Sequence, residues 1–385
     1  MAHPWSNTAG PVRHSSRSCG CVRPRRPLHV RRARRIRVER PPRASIAADR
    51  RALVSAGLRI IDAGWLSTLQ DLGRTGVEQL GIPVSGAADQ YSACAANLLV
   101  GNNRAATCLE IMGSHFSAVA DADLLISITG ANATVRVDGL PVSMWQPVCV
   151  GRGSVVTVTD VRDGIRLYLA INGDIETDLF LGSAAPDARM GFPQRLRSGD
   201  IVRVRTDYES FFHPYSDIPL FDPLVVVPNL RRETWTIDVT DGPEIDAAVD
   251  MRELLEDSIY TVGPQSDHVG LRLDGPVLHP VGLPEITSHG IPIGAIEIPH
   301  SDELIILGRA RSLTAGYPIV AIATRVSLSL LGQAGPGRKL QIRWTTTDSA
   351  VREYRSQQQD LYTLGRAMAS IFGSIGVPTG IAAAI

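Results

Sequence analysis

The chain has 385 residues, of which 44% are apolar and 20% charged, so we expect two or three globular domains with a sizeable core. The net charge is zero, but residues 1–57 carry fourteen Arg and two acids, while the remaining residues carry 25 basic and 37 acidic groups. Because nucleic-acid phosphates require Lys and Arg, this acidic body is unsuited to binding nucleic acid. The only lysine, Lys339, is followed by Leu and lacks flanking Met residues, which excludes a P-loop and any biotin attachment on this chain.

Residues 1–57 combine six prolines with long Arg runs and little apolar periodicity. Such a segment buries too little surface to offset the entropy of ordering, so we predict a disordered tail. A transit peptide would share this Arg-rich, acid-poor composition, although six prolines oppose its amphipathic helix. A natural start near Val54 is a third interpretation.

From Leu58 the chain consists of short runs in which apolar and polar residues alternate, separated by Gly, Pro, Asn and Asp. This period-two pattern predicts strands, and we assign residues 58–215 to a first, mostly antiparallel β domain that is either a closed barrel or a sandwich. One helix is predicted at about 87–100, with Ser85 as its N-cap and Gly101 as the residue that ends it. Strand-like runs include LRIID at 58–62, DLLISITG at 123–130, SVVTVTD at 154–160 and IRLYLAI at 165–171.

The polar, Pro-rich stretch at about 206–230 is the best candidate for a linker. A second β-rich block follows, and we assign it to a second domain over residues 216–346. GIPIGA at 290–295 repeats GIPVSGA at 81–87, which hints at two copies of one barrel.

Residues 347–385 form the C-terminal part. Their apolar spacing predicts a helix from about Ser349 to Ile371, with Asp348 near its start. Gly373 and Pro378 are expected to follow its end.

The five cysteines give no even disulfide framework, and those of the body lie in apolar contexts. We therefore expect buried free thiols in a reducing, cytoplasmic setting. The histidines show no metal-ligand spacing, so no metal site is expected. No stretch reaches the ~18 apolar residues of a membrane helix, so no membrane association is expected.

The densest group of polar residues lies between a predicted strand and the predicted helix, at 64–89. An amide, a carboxylate and a guanidinium, those of Gln70, Asp71 and Arg74, fall within five residues. Such a trio can bind a planar amide or carboxylate ligand, and the glycines around it allow close approach. The alternative is a tight loop in which Asp71 and Arg74 bond to one another and to backbone amides. Gln79, Ser85 and Asp89 complete the group.

Motifs along the whole acidic body resemble one family. The first half contains QDLGRTG, GIPVSGAADQ, ANLLVGN and DGLPV, and the second half contains SDHVGLRLDGP, SHGIPIGAIEIP, TAGYP and LLGQAGPG. They resemble the biotin-dependent carboxyltransferase-like family, which includes the C component of bacterial 5-oxoprolinase, the second component of allophanate hydrolase and the carboxyltransferase region of urea carboxylase. The resemblance covers residues 58 to about 355.

This resemblance implies a mainly β fold with two tandem cyclophilin-like β-barrel domains and a few helices. It also implies B-type and A-type 5-oxoprolinase partner subunits and a small amide substrate. The activity implied is the ATP-dependent opening of 5-oxoproline to glutamate, with an ATP site that no nucleotide motif in this chain locates. A regulatory paralogue that sequesters a B-like kinase-inhibitor protein, and a carboxyltransferase of a urea carboxylase-like system, are the alternatives.

The polar group and the family motifs together nominate site residues. Asp71 and Arg74 are the predicted catalytic residues, since Asp71 can orient Arg74 or accept a proton. The predicted substrate-binding residues are Gln70, Ser85, Asp89, Glu297 and Tyr317.

The chain also departs from the family pattern, which marks it as a diverged member. Where relatives read ADxQTTGGYP, this chain places Ala310, Ser312, Leu313 and Ala315 at positions of Asp, Gln, Thr and Gly. Glu297 stands where relatives have Gln. Each change alters a polar group or a glycine of the presumed site.

Two other pairs combine residue types that can form sites. Arg309 and Arg311, two apart in a strand-like run, would share a face and bind phosphate or carboxylate, or else be solvated or ion-paired. Ser288 and His289 are adjacent, so in a strand they would point to opposite faces and form no nucleophile–base pair.

Overall fold

A computed structural model describes residues 54–192, 195–208, 223–247, 251–276, 286–299, 303–377 and 379–380. Residues 1–53 of the basic tail, for which we predicted disorder, lie outside the described residues, and so does most of the predicted linker. Within the ranges above, no helix is both long and apolar enough to span a membrane.

A ten-stranded sheet forms the first β domain. Its strands are β1 (Val54–Ala63), β2 (Leu66–Gln70), β3 (Cys108–Met112), β4 (Phe116–Ala120), β5 (Leu124–Val137), β6 (Leu140–Val142), β7 (Pro147–Val150), β8 (Val155–Ile171), β9 (Asp174–Ile175) and β10 (Ile201–Thr206). They pair in the order β2-β3-β8-β4-β1-β10-β9, and β5 pairs with β6, β7 and β8. Alternation places one face in the core: in β10, Val202 and Val204 are buried while Arg203 is exposed.

A closed seven-stranded barrel forms the second β domain. Its chain segments are β11 (Thr234–Asp241), β12 (Ile259–Val262), β13 (Gly270–Asp274), β14 (His289–Gly290), β15 (Ala295–Glu297), β16 (Leu304–Leu307), β17 (Thr314–Ala315), β18 (Ile319–Ala323) and β19 (Lys339–Trp344). The barrel order is β11-β18-β15-β16-β13-β12-β19, and β19 pairs in parallel with β11 to close it. β14 and β17 form a separate two-stranded ribbon.

Four α-helices accompany the sheets in the described part of the chain: α1 (Gln90–Leu99), α2 (Met251–Asp257), α3 (Arg325–Leu331) and α4 (Thr347–Ile375). Short 3-10 helices lie at Glu78–Leu80 and Ile245–Ala247. The prediction of a mainly β protein with two tandem β domains and few helices is confirmed.

The start of α1 differs from the prediction. Asp89, not Ser85, is the N-cap, and its carboxylate accepts hydrogen bonds from the Ser92 backbone at 3.1 Å and hydroxyl at 2.5 Å. Ala87 stays outside the helix because its amide donates to the Asp71 carbonyl at 2.8 Å. The predicted stop at Gly101 is confirmed, since this residue has φ 81° directly after the helix.

α4 is longer than predicted at both ends. Thr346 caps it by accepting from the Ser349 amide at 3.2 Å, and the helix ends at Gly376, which has φ 75°. Gly373 was predicted to follow the helix but lies inside it. The apolar stripe of Leu361, Leu364, Met368 and Phe372 packs in one cluster with α1 residues, so the C-terminal helix returns from the barrel to the first domain.

The three cysteines of the described ranges are free, as expected, but not all are buried. Cys94 and Cys108 are buried, whereas Cys149 is exposed at the edge strand β7. The apolar context PVCVG misled the prediction because alternation along β7 turns this side chain outward.

Candidate active site at the domain seam

The polar loop between β2 and α1 crosses over itself. We call residues 71–87 the glycine loop. Gly73 and Gly86 have φ near +90°, and a Cβ on Gly73 would lie 2.5 Å from the Val84 carbonyl oxygen. A Cβ on Gly86 would lie 2.6 Å from the Gly73 nitrogen. Only glycine fits at the crossing, which explains why the two glycine motifs flank it.

Arg74 is 1% exposed and bound within the first domain. Its Nη2 donates to the Ala185 carbonyl and its Nε donates to the Phe180 carbonyl at 3.4 Å. Its Nη1 lies 3.7 Å from Asp187 Oδ2, and the guanidinium lies 5.2 Å from the Phe180 ring centroid. Burial lowers the pKa of Arg74, and the carboxylates of Asp187 and Asp71 offset part of that shift.

Asp71 has both carboxylate oxygens engaged. Oδ1 accepts from the Gly73 amide at 2.8 Å and from the Ser183 hydroxyl at 2.6 Å, and Oδ2 accepts from the Ala184 amide at 2.8 Å. Together with Arg74, it fixes the segment 180–187 against the glycine loop. The predicted catalytic roles of Asp71 and Arg74 stay predictions, and the described contacts give both a positioning role.

Gln70 and Ser85 each present a buried polar atom. Gln70 Nε2 donates to Thr68 Oγ1 at 3.2 Å, while its Oε1 has no hydrogen-bond partner in the described ranges. Ser85 is buried with φ 55°, a strained backbone for a residue other than glycine, and its Oγ also lacks a partner there. The Ser85 amide donates to the Arg309 carbonyl at 3.1 Å, so this strained residue touches the second domain.

Residues 308–317, which we call the seam segment, run along the glycine loop. Arg311 Nε donates to the Ile291 carbonyl at 2.8 Å and its Nη2 pairs with Glu78 at 3.0 Å. Ser312 Oγ accepts from Arg189 of the first domain at 3.3 Å. Residues 308–313 form turns and irregular chain instead of the predicted strand. Arg309 and Arg311 therefore do not share a strand face.

Arg309 is the exceptional charge of the seam. It is 9% exposed, its Nε has no hydrogen-bond partner, and no carboxylate of the described residues lies within 4.0 Å of its guanidinium. Burial and, to a smaller extent, the charge of Arg325 lower its pKa to about 10, although Tyr168 and Asp89 act in the opposite direction. A buried cation without an ion pair is unfavourable by itself and favours an anionic ligand.

Asp89 is the centre of a buried network and not an open ligand group. Its Oδ2 accepts from Gln333 Nε2 at 2.8 Å, and its amide donates to Tyr168 Oη at 2.8 Å. Tyr168 in turn donates to Glu110 Oε2 at 2.7 Å. Burial raises the pKa of Asp89, and hydrogen bonds from Gln333 and Ser92 offset part of that shift.

The same network joins the two domains. Arg166 donates from Nη1 to the Gly332 carbonyl, from its amide to Gln333 Oε1 at 3.1 Å, and lies 3.4 Å from Glu110. A Cβ on Gly332 would lie 2.5 Å from the Ala88 carbonyl carbon. The motifs LLGQAGPG and GAADQ therefore meet at backbone contact, and Gln333, which the sequence motif contained without a role, is the link.

The remaining predicted residues lie on the barrel. Glu297, on β15, is 3% exposed, and its Oε1 has no hydrogen-bond partner within the described part of the chain. Burial raises its pKa to about 7, which the charge of His289 partly opposes. Tyr317 lies half-buried between β17 and β18.

An open cavity of about 410 Å³ also lies between the domains, at Asp163–Ile165 and Gly335–Lys339. Its charged walls are engaged, since Lys339 pairs with Glu233 at 2.7 Å and the Arg338 guanidinium lies 4.2 Å from the Trp235 ring centroid. Nowhere in the described ranges do three or more His, Cys, Asp or Glu side chains lie together as a metal-binding group.

Known proteins share this architecture. The chain is 28% identical over 311 residues to the C component of 5-oxoprolinase from Escherichia coli (strain K12), covering 78% of this chain and 96% of that protein. It is also 28% identical over 296 residues to urea amidolyase of Saccharomyces cerevisiae, covering 71% of this chain and 16% of that protein.

Two solved structures are similar in fold. The crystal structure of the K. lactis urea amidolyase has a TM-score of 0.70 at 26% identity, covering 80% of this chain and 20% of that chain. The crystal structure of TTHA0988 has a TM-score of 0.65 at 27% identity, covering 76% of this chain and 56% of that chain. This chain thus spans a small part of the urea amidolyases. The pattern of the carboxyltransferase domain, subdomain A and B, matches residues 80–344, and the chain belongs to that family.

Proposed function

We propose that this chain is the C-type component of an ATP-dependent amide-cleaving complex that opens 5-oxoproline to glutamate with B-type and A-type partners. The match to nearly the whole C component of the Escherichia coli 5-oxoprolinase supports this proposal. ATP is expected to act as a substrate of the assembled complex, and no residue of this chain is assigned to it. The cytoplasm is the proposed compartment, because Cys94 and Cys108 are free thiols.

One observation carries the proposal: the guanidinium of Arg309 is buried without a carboxylate partner among the described residues, and the backbone carbonyl of the same residue accepts from the amide of the strained Ser85. 5-Oxoproline presents a carboxylate and a flat lactam amide. In our proposal the carboxylate binds Arg309, while the Ser85 hydroxyl and the Gln70 amide oxygen face the lactam. A charged pair formed in a buried seam is stronger than one in water, because the effective dielectric constant is lower.

The other predicted residues enter this proposal mainly as positioning groups. Asp71 and Arg74 hold segment 180–187 against the glycine loop and thereby maintain the backbone of Ser85. Asp89 holds the start of α1 and the contact with Gln333. Their loss is expected to change the site through its geometry.

Reconstitution tests the proposal. The chain is mixed with B-type and A-type partners, ATP and 5-oxoproline, and glutamate release is followed against mixtures that lack one component. We expect release only in the full mixture. Absence of release from the full mixture, with each protein folded, would contradict the proposal.

A second function, carboxyl transfer, is favoured by the structural similarity to urea amidolyase. It needs a carboxylated biotin carrier from another chain, since Lys339 is unsuited to biotin attachment. Urea-dependent loss of carboxybiotin, in place of glutamate release, would support it.

A regulatory role is favoured by the altered seam segment, in which Ala310, Ser312, Leu313 and Ala315 replace the residues typical of relatives. A stable complex with a B-type protein and no turnover on either substrate would support that role.

A further inference from the structure

Glu297 lies on the outer face of the barrel. Its two neighbours, Ile296 and Ile298, both belong to the barrel core, so Glu297 points outward, even though the register against β18 shifts between Ile296 and Glu297. Its register partners on the neighbouring strands are Ile305 and Ile319. These pairings surround the carboxyl group with aliphatic side chains, and it is almost fully buried.

The ribbon of β14 and β17 adds an imidazole to this place. His289 pairs with Ala315 across the ribbon, and Ala315 packs in the same apolar cluster as Ile305 and Ile319, the register partners of Glu297. From there the charge of a protonated His289 lowers the pKa of Glu297. His289 Nε2 is buried without a hydrogen-bond partner in the described ranges, and Nδ1 lies 3.4 Å from the Thr287 carbonyl oxygen. The acid and the imidazole thus each retain one unpartnered atom.

This pair lies next to the domain seam. Arg311 joins the Ile291 carbonyl, two residues after His289, to Glu78 of the first domain. The seam segment that carries Arg309 at one end carries the partner of His289 at its other end. The acid–imidazole pair and the proposed carboxylate site are therefore held by one short stretch of chain.

The other charged groups of the flanking elements are engaged elsewhere. Glu244 accepts from the Ile319 amide at 2.9 Å, Glu303 pairs with Arg272, and Arg311 pairs with Glu78. Tyr317 is the phenol between the ribbon and β18. His289 is thus the ionisable neighbour that acts on Glu297.

We propose that Glu297 and His289 form the proton-transfer pair of amide cleavage, an inference that rests on the proposed function. ATP cleavage by the assembled complex, which yields ADP and phosphate, activates the lactam carbonyl. Water then adds to the carbonyl carbon, and one proton of that water passes to the Glu297 carboxylate. The carbon–nitrogen bond then breaks, and the carboxyl group returns that proton to the departing nitrogen, which leaves an amine and a new carboxylate. His289 positions the acid and tunes its affinity for the proton.

The environment suits this role. Burial holds the pKa of Glu297 at about 7, where a carboxyl group both accepts and donates protons near neutral pH. The base must be ionised, so kcat is expected to rise with pH through this region. Since a protonated His289 lowers the pKa of Glu297, removing the imidazole should move that rise to higher pH.

The experiment measures kcat, KM and their pH profiles in the reconstituted complex for wild type, Glu297→Gln, His289→Asn and the control Glu303→Gln. We expect Glu297→Gln to lower kcat by about 100-fold or more with little change in KM and to remove the rise near neutral pH. His289→Asn should shift the rise upward, and Glu303→Gln should behave as wild type.

Two outcomes overturn the inference in distinguishable ways. If wild type opens 5-oxoproline and Glu297→Gln keeps its rate and pH profile, the pair is wrong while the proposed function stands. If the wild-type complex does not open 5-oxoproline at all, both fall.

Discussion

Replacing Arg309 with Met should make the protein more stable and less functional. Burial lowers the pKa of Arg309 to about 10 from 12.5. At about 1.4 kcal/mol per pKa unit, the charge destabilises the folded state by about 3 kcal/mol. Because the pKa of Arg309 is lower in the folded than in the unfolded state, the full destabilisation is present below about pH 10. It is lost as the pH rises from about 10 towards 12.5.

Methionine has a similar length and carries no charge, so at neutral pH it removes the desolvation penalty. Some packing is lost in exchange, and we expect the free energy of unfolding to rise by about 1–3 kcal/mol. Urea unfolding followed by fluorescence measures this change, with the transition midpoint of wild type as reference.

Arg311→Met is the matched control. Arg311 lies two residues away and is also buried, but it pairs with Glu78 and with the Ile291 carbonyl. Breaking these bonds should lower the free energy of unfolding by about 1–2 kcal/mol. If Arg309→Met were equally destabilising, Arg309 would be a structural residue and the reasoning about an anion site would be refuted.

Three further substitutions test the fold around the site. Arg74→Ala should lower the free energy of unfolding by about 3–5 kcal/mol, since it leaves the buried Asp187 unpaired; unfolding at the wild-type urea concentration would refute the positioning role. Gly332→Ala places a Cβ 2.5 Å from Ala88 backbone and should cost about 1–3 kcal/mol by calorimetry, whereas an unchanged melting temperature would contradict the domain contact. Gly373→Ala, in an exposed helix position with open space around it, should stabilise by about 0.5–1 kcal/mol, and a loss of stability would show that α4 is not helical there.

The fold class could be predicted because its signals are local. Alternation in runs such as β10 needs only neighbouring residues, and Gly101 ends α1 through its own left-handed backbone. The position of the N-cap could not be predicted, because a contact from the Ala87 amide to the Asp71 carbonyl keeps the chain out of the helix until Asp89.

The candidate site could be predicted only in part for the same reason. The composition of the glycine loop predicted a binding site. Composition does not show, however, that Arg74 and Asp71 bind segment 180–187, more than a hundred residues later in the chain. Likewise Gln333 meets Asp89 across 244 residues of sequence. Arg309 and Glu297 gain their importance from burial without a partner, which a sequence pattern does not express.

The most direct test of the central claim is the dissociation constant of 5-oxoproline for the assembled complex, measured by calorimetry with wild type and with Arg309→Met. A carboxylate held by Arg309 in the domain seam predicts measurable binding by wild type and at least a tenfold weaker affinity for the variant, with assembly intact. Equal affinities, or no binding by the wild-type complex, would contradict it.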